Sequence, residues 1–185
     1  MKQKIASHII SGFLGAGKTT FINQLLSAKK ENETWVVLVN ESGTTHYAKE
    51  QLANNGIIVK ELYGGCLCCS AGMPFRVALN KLIKEHQPQR LFIEPAGAGH
   101  LANIKTLLQG EFYHPVLTLE STLCLLSHWQ LTDETYSTNE HYMALIQQAD
   151  KLCYYQDEAE ILAKKMAIDY SKPLHRLHFN LDDLI

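Results

Sequence analysis

The chain has little of what would mark it for a membrane, a nucleic acid or the cell exterior. No apolar run approaches the roughly 20 residues that a bilayer-spanning helix needs, so no membrane partner is expected. Neither sign of charge dominates. Lys and Arg number 17 against 19 for Asp and Glu, a formal charge of -2, and the basic excess of a nucleic-acid binder is missing. The opening Met1-Lys2-Gln3-Lys4 runs into a short apolar stretch interrupted by Ser7 and His8, without a small-residue cleavage site. It reads as a first strand and not as a secretory signal. A cytoplasmic location is therefore expected, where the five cysteines would be reduced thiols or metal ligands and not disulfides. Repeats, low-complexity tracts and linkers are lacking too. What remains is one domain of 185 residues, long enough to bury a substantial core.

What the chain does have is alternation. Apolar, β-branched runs suggest strands at 5–11, 35–40, 57–62, 90–94, 115–119, 151–155 and 174–178. Helical spacing suggests helices at 19–28, 73–86, 101–108, 138–148 and 158–167. Trp35 to Asn40 is unbroken and apolar until its last residue, as in a parallel strand buried on both faces. Val77, Leu79, Leu82 and Ile83 recur at helical intervals, and Pro88 ends that run. Strand–helix alternation of this kind predicts an α/β fold with a doubly wound, mostly parallel sheet and right-handed crossovers. The polar stretch 132–139 reads as a mobile surface segment.

Gly12-Phe13-Leu14-Gly15-Ala16-Gly17-Lys18-Thr19 fits the phosphate-loop pattern G-x-x-x-x-G-K-[ST] without a gap. An apolar strand precedes it and a helix follows. Glycines at these positions let the backbone turn tightly and aim successive N–H groups at phosphates, while the helix presents its positive end to the same anion. Gly12, Gly15, Ala16, Gly17, Lys18, Thr19 and Thr20 are thus the expected nucleotide cradle. Lys18 would reach the β- and γ-phosphates, and the Thr19 hydroxyl would meet Mg²⁺.

Gly64-Gly65-Cys66-Leu67-Cys68-Cys69 gathers three thiols within four positions. On a regular strand Cys66 and Cys68 would share a face and Cys69 would point away, so convergence of all three needs a turn, which Gly64, Gly65 and Gly72 permit. Three thiolates suit a soft or borderline ion such as Zn²⁺. Small buried residues of the core are the other use of such cysteines. Cys124 and Cys153 sit in apolar contexts and read as core.

Phosphate loop, Gly-Cys-x-Cys-Cys and element order together resemble the CobW-like metal-chaperone GTPases, relatives of the HypB and UreG nickel-insertion proteins. The resemblance covers essentially the whole chain and is to that family's nucleotide-binding domain (1–185), with no counterpart of the usual second, C-terminal domain. Asn40-Glu41 resembles the family's switch after the second strand. Glu61 to Cys69 resembles its metal motif, and Phe92-Ile93-Glu94-Pro95-Ala96-Gly97 its Walker-B-type stretch, where Glu94 would hold Mg²⁺ through water or position the attacking water. The resemblance implies Mg²⁺-dependent hydrolysis of GTP (or ATP), coupled to binding or delivery of zinc or a similar ion to a client metalloprotein. Lys18 and Glu94 would then be the catalytic residues, and Thr19, Glu41, Cys66, Cys68 and Cys69 the metal ligands.

The chain also departs from that pattern. Val39-Asn40-Glu41-Ser42-Gly43-Thr44 lacks the first and last carboxylates of the family's Glu-Asn-Glu-Phe-Gly-Glu, and Glu120 stands where a strand-ending Asp is common. Tyr154-Tyr155-Gln156-Asp157 occupies the place of the guanine-reading Asn-Lys-x-Asp, leaving Asp157 to accept from the base if the alignment slips by one residue. His46, His100 and His114 are further metal-ligand candidates. Three functions fit: a metal-linked nucleoside triphosphatase, a degenerate module that binds without hydrolysing, and a small-molecule kinase for which no acceptor site is recognisable.

Overall fold

A computed structural model describes residues 3–29, 31–40, 47, 49–62 and 73–178. Along the chain the elements are β1 (Ile5–Gly12), α1 (Lys18–Ser27), β2 (Trp35–Asn40), α2 (Lys49–Asn54), β3 (Ile57–Glu61), α3 (Met73–His86), β4 (Arg90–Pro95) and α4 (Ala98–Gln109). Then follow β5 (Leu117–Leu125), α5 (His128–Thr132), α6 (Glu134–Ser137), α7 (Glu140–Gln148), β6 (Lys151–Tyr154), a 3-10 turn (Asp157–Ala159), α8 (Glu160–Asp169) and β7 (Leu174–Arg176).

The seven strands form one sheet in the order β3-β2-β4-β1-β5-β6-β7, and every neighbouring pair is parallel. Side-chain parity divides the core between its faces, because successive residues of a strand point to opposite sides. Ile9, Val36, Leu38, Cys124 and Leu152 pack with α3, α4, α7 and α8 on one face. Ile10, Val37, Val39, Leu125 and Cys153 pack with α1 on the other. Both faces are covered, which is why the central strands read as continuous apolar runs. Cys124 and Cys153 are fully buried, and burial pushes the Cys124 thiol up to about 12, so it is a core residue and no thiolate.

One expectation fails here. The strand expected at 115–119 begins at Leu117 and runs on to Leu125, so Glu120 is a mid-strand residue. Its polar Glu120-Ser121-Thr122 interrupts the apolar pattern, yet the backbone continues its pairing with β1. The stretch 132–139 lies at the surface, as expected, and contains α6, capped by the Asp133 carboxylate accepting from the Thr135 amide. Asn139 caps α7 in the same way through the Tyr142 amide. A Ser/Thr/Asn/Asp residue ahead of a short polar run is a helix-start signal, and it outweighed the composition.

Candidate functional site

The sheet order reverses beside β1: the chain crosses from β1 outward to β2 and β3, returns to β4, and continues on the other side through β5. Ligands in open parallel sheets bind at the carboxyl ends of strands next to such a switch point. The loop Gly12 to Gly17 leaves β1 there and turns into α1. Gly15 and Gly17 have φ of 78° and 89°, a left-handed backbone that other residues adopt only with strain. Gly17 caps α1, no side chain takes the capping role, and no acidic residue enters the first turn. The positive end of the helix is therefore not neutralised by its own sequence.

Lys18 opens α1 and is almost buried, 6% exposed, with its Nζ 3.4 Å from the carbonyl of Phe13. The cation is folded back over the loop that precedes it. Ala16 is buried and Thr20 exposed. Thr19 faces β4, the neighbour of β1, and its hydroxyl donates to Glu94 at 3.1 Å to Oε1 and 3.4 Å to Oε2. Glu94 has no exposed surface. A second hydroxyl, that of Tyr47, donates to Glu94 Oε2 at 2.8 Å. Phosphate loop and acidic strand end, 75 residues apart, thus meet at one carboxylate.

The other side of the loop is built by residues that the sequence did not point to. Gln130 donates from Nε2 to the carbonyl of Leu14 at 2.9 Å. A β-carbon on Gly15 would lie 3.1 Å from the Trp129 ring. Phe13 stacks edge-on against Tyr136 and Tyr142, and Tyr136 meets Trp129 in the same manner. Aromatic edge contacts of this kind add about 0.5–1.5 kcal/mol each beyond burial, so α5 to α7 form a stiff buttress beneath the loop. Only the aromatic content of this segment could have hinted at it. Tyr155 lies against Gly17, and Tyr154 is buried in the core.

Asp157 opens the 3-10 turn after β6, and its carboxylate pairs with the Arg176 guanidinium of β7. Gln156 Oε1 accepts from the backbone N–H of His128 at 3.0 Å. Glu41, His46, Cys66, Cys68 and Cys69 lie outside the described residues. His100 lies in α4 and His114 is exposed ahead of β5. Among the described residues no cluster of three or more His, Cys, Asp or Glu could hold a metal ion.

This geometry meets a family pattern. Residues 6–158 match the family model of the CobW/HypB/UreG nucleotide-binding domain. The chain belongs to the CobW/HypB/UreG family. Among its relatives is the zinc chaperone YeiR of Escherichia coli, 44% identical over 144 residues, which span 78% of this chain and 44% of that protein. The chain thus covers less than half of that relative. Two solved structures of this family share its fold. The Zn(II)-bound YjiA GTPase of E. coli superposes with a TM-score of 0.66 at 22% identity, over 98% of this chain and 61% of that one. HypB from Helicobacter pylori in complex with nickel superposes with a TM-score of 0.62 at 16% identity, over 99% and 82%. Among the described residues of this CobW-type domain, no helix is long and apolar enough to cross a membrane.

Proposed function

We propose that this domain binds and hydrolyses a nucleoside triphosphate, GTP in preference to ATP, in the cytoplasm, and that nucleotide turnover is linked to holding zinc or a similar ion for a client metalloprotein. The observation that carries the reading is the contact of Thr19 with the buried Glu94 carboxylate beside the phosphate loop. Both groups are hard oxygen donors, the kind that Mg²⁺ takes alongside phosphate oxygens. Mg²⁺, when bound, would neutralise charge on the β- and γ-phosphates. The chain's own part is positioning: loop amides and the α1 end cradle the phosphates, and Lys18 lies folded over the loop to meet them. Trp129 and Tyr155 pack against Gly15 and Gly17 of the loop. The zinc half of the reading is supported by Cys66, Cys68 and Cys69 and by relatives named as zinc chaperones.

Val39 and Thr44, in place of switch carboxylates, favour the rival reading of a module that binds without hydrolysing. Steady-state phosphate release with Mg²⁺ separates the two. The nucleotide reading itself is tested with Lys18→Ala, which should abolish triphosphate binding with an unchanged circular dichroism spectrum; retained affinity sinks it. Zinc titration of the reduced protein should give one ion per chain, with binding that weakens at low pH as protons compete for thiolates. No uptake removes the metal half.

A further inference from the structure

Glu94 is a fully buried carboxylate, and such a group is stable as an anion only when donors surround it. The ionised form accepts and never donates, so both hydroxyls at Glu94 spend their single hydrogen on it. For Thr19 this has a directional result. With its hydrogen aimed at Glu94, its lone pairs are what it has left to offer a cation. The shorter of the two contacts is the one from Tyr47, 2.8 Å against 3.1 Å. Tyr47 comes from the connection between β2 and α2 and is itself 7% exposed, packed in the core layer of Ala16, Phe21 and Phe92. A buried phenol has only two side-chain torsions, and both are fixed when the ring is packed. Its hydroxyl is therefore held rigidly against one carboxylate oxygen.

We propose that Tyr47 is a positioning residue for the nucleotide–metal site, its hydroxyl holding the Glu94 carboxylate against the Thr19 hydroxyl so that Thr19 presents lone pairs to Mg²⁺. The inference rests on the function proposed above and adds to it a residue that neither the phosphate-loop motif nor the acidic strand end contains. It also makes the β2–α2 connection part of the metal site through a side chain that a sequence motif would miss.

Tyr47→Phe keeps the ring and deletes the hydroxyl. Binding of a non-hydrolysable GTP analogue should be unchanged in excess EDTA, while the affinity gained on adding Mg²⁺ should shrink about tenfold, the scale of one charge-assisted hydrogen bond. Hydrolysis should show the same split, with kcat falling about tenfold and KM moving by less than about twofold. Tyr47→Met, a second variant without the hydroxyl, must show the same selective loss. Equal losses with and without Mg²⁺ would make Tyr47 a packing residue and overturn the proposal, as would an Mg²⁺ gain equal to that of the unmodified protein. If the unmodified protein itself gains nothing from Mg²⁺, the proposed function falls, and this inference with it.

Discussion

Tyr155 closes on Gly17 so tightly that a β-carbon built on that glycine would lie 2.8 Å from the phenol oxygen and 3.2 Å from the ring. The loop after β6 is thereby pressed onto the last turn of the phosphate loop. Two obstacles face any larger residue at position 17, the contact with Tyr155 and the left-handed backbone at φ 89°.

Gly17→Ala should lower stability by about 1–3 kcal/mol and weaken triphosphate binding, since the loop must shift to relieve the clash. Adding Tyr155→Ala removes the contact but leaves the dihedral strain, so the double variant should recover only part of the stability. Urea midpoints at constant m-value measure this. A Gly17→Ala protein as stable as the parent refutes the close approach.

Selectivity for the base should be weak. A site rejects the wrong base strongly only when all of its donors and acceptors are in place. Here the Asp157 carboxylate is engaged by Arg176 and the Gln156 side-chain oxygen Oε1 by the His128 backbone N–H. Competition titrations should give GTP a preference over ATP well below about a thousandfold. Arg176→Ala, which releases Asp157, should raise it. A thousandfold preference in the unmodified chain contradicts this account.

Acid should destabilise the domain through His8. Its ring stacks on Phe92 and its Nδ1 lies 3.1 Å from the Ser121 hydroxyl, while Nε2 is buried without a hydrogen-bond partner among the described residues. Burial first, then the charges of Arg90 and Lys151, push the imidazole from 6.5 down to about 4. The folded state thus favours the neutral ring and the unfolded chain takes up the proton first. Stability is intact above about pH 6.5, falls as pH drops from there to about 4, and levels off below. The expected loss between about pH 7.5 and about pH 5 is about 2 kcal/mol from this residue. Chemical unfolding at both pH values checks it, and His8→Leu should remove that part of the pH dependence.

Much of the site was legible because its parts are contiguous. Gly12 to Thr20 is one uninterrupted segment, and Glu94 closes an apolar run just before a Pro-Ala-Gly turn, so local pattern suffices for both. Tyr47, Trp129 and Gln130 were not legible. Each reaches the site through the tertiary fold, Tyr47 from the β2–α2 connection and Trp129 and Gln130 from α5, where local sequence carries no phosphate-binding signal. The fold shows the same division. β2 and α3 have the limits that periodicity gives them, whereas β5 was cut short at 119 because its second half opens with three polar residues. Ser121 and Thr122 are nevertheless buried: Ser121 pairs with His8, and the Thr122 backbone N–H donates to the Asp150 carboxylate at 2.9 Å. A side-chain hydrogen bond, which hydropathy does not record, lets Ser121 stand in the interior.

The pairing of β5 with β1 slips by one residue between Ser7 and His8: Ser7 faces Leu119, and His8 faces Ser121. Glu120 is the residue passed over, and it stays exposed. In an unbroken ladder it would stand opposite His8, bringing a carboxylate toward the interior beside a neutral imidazole. The extra residue therefore works as a phase corrector. It expels the one acidic group of the strand to water and resets odd and even positions, so that Cys124 and Leu125 arrive on the faces where α4 and α1 wait for them. Deleting Glu120 would join Leu119 directly to Ser121 in an unbroken ladder, whereas regular pairing with Glu120 retained would turn the last five residues of β5 inside out and take the floor from under Gly12.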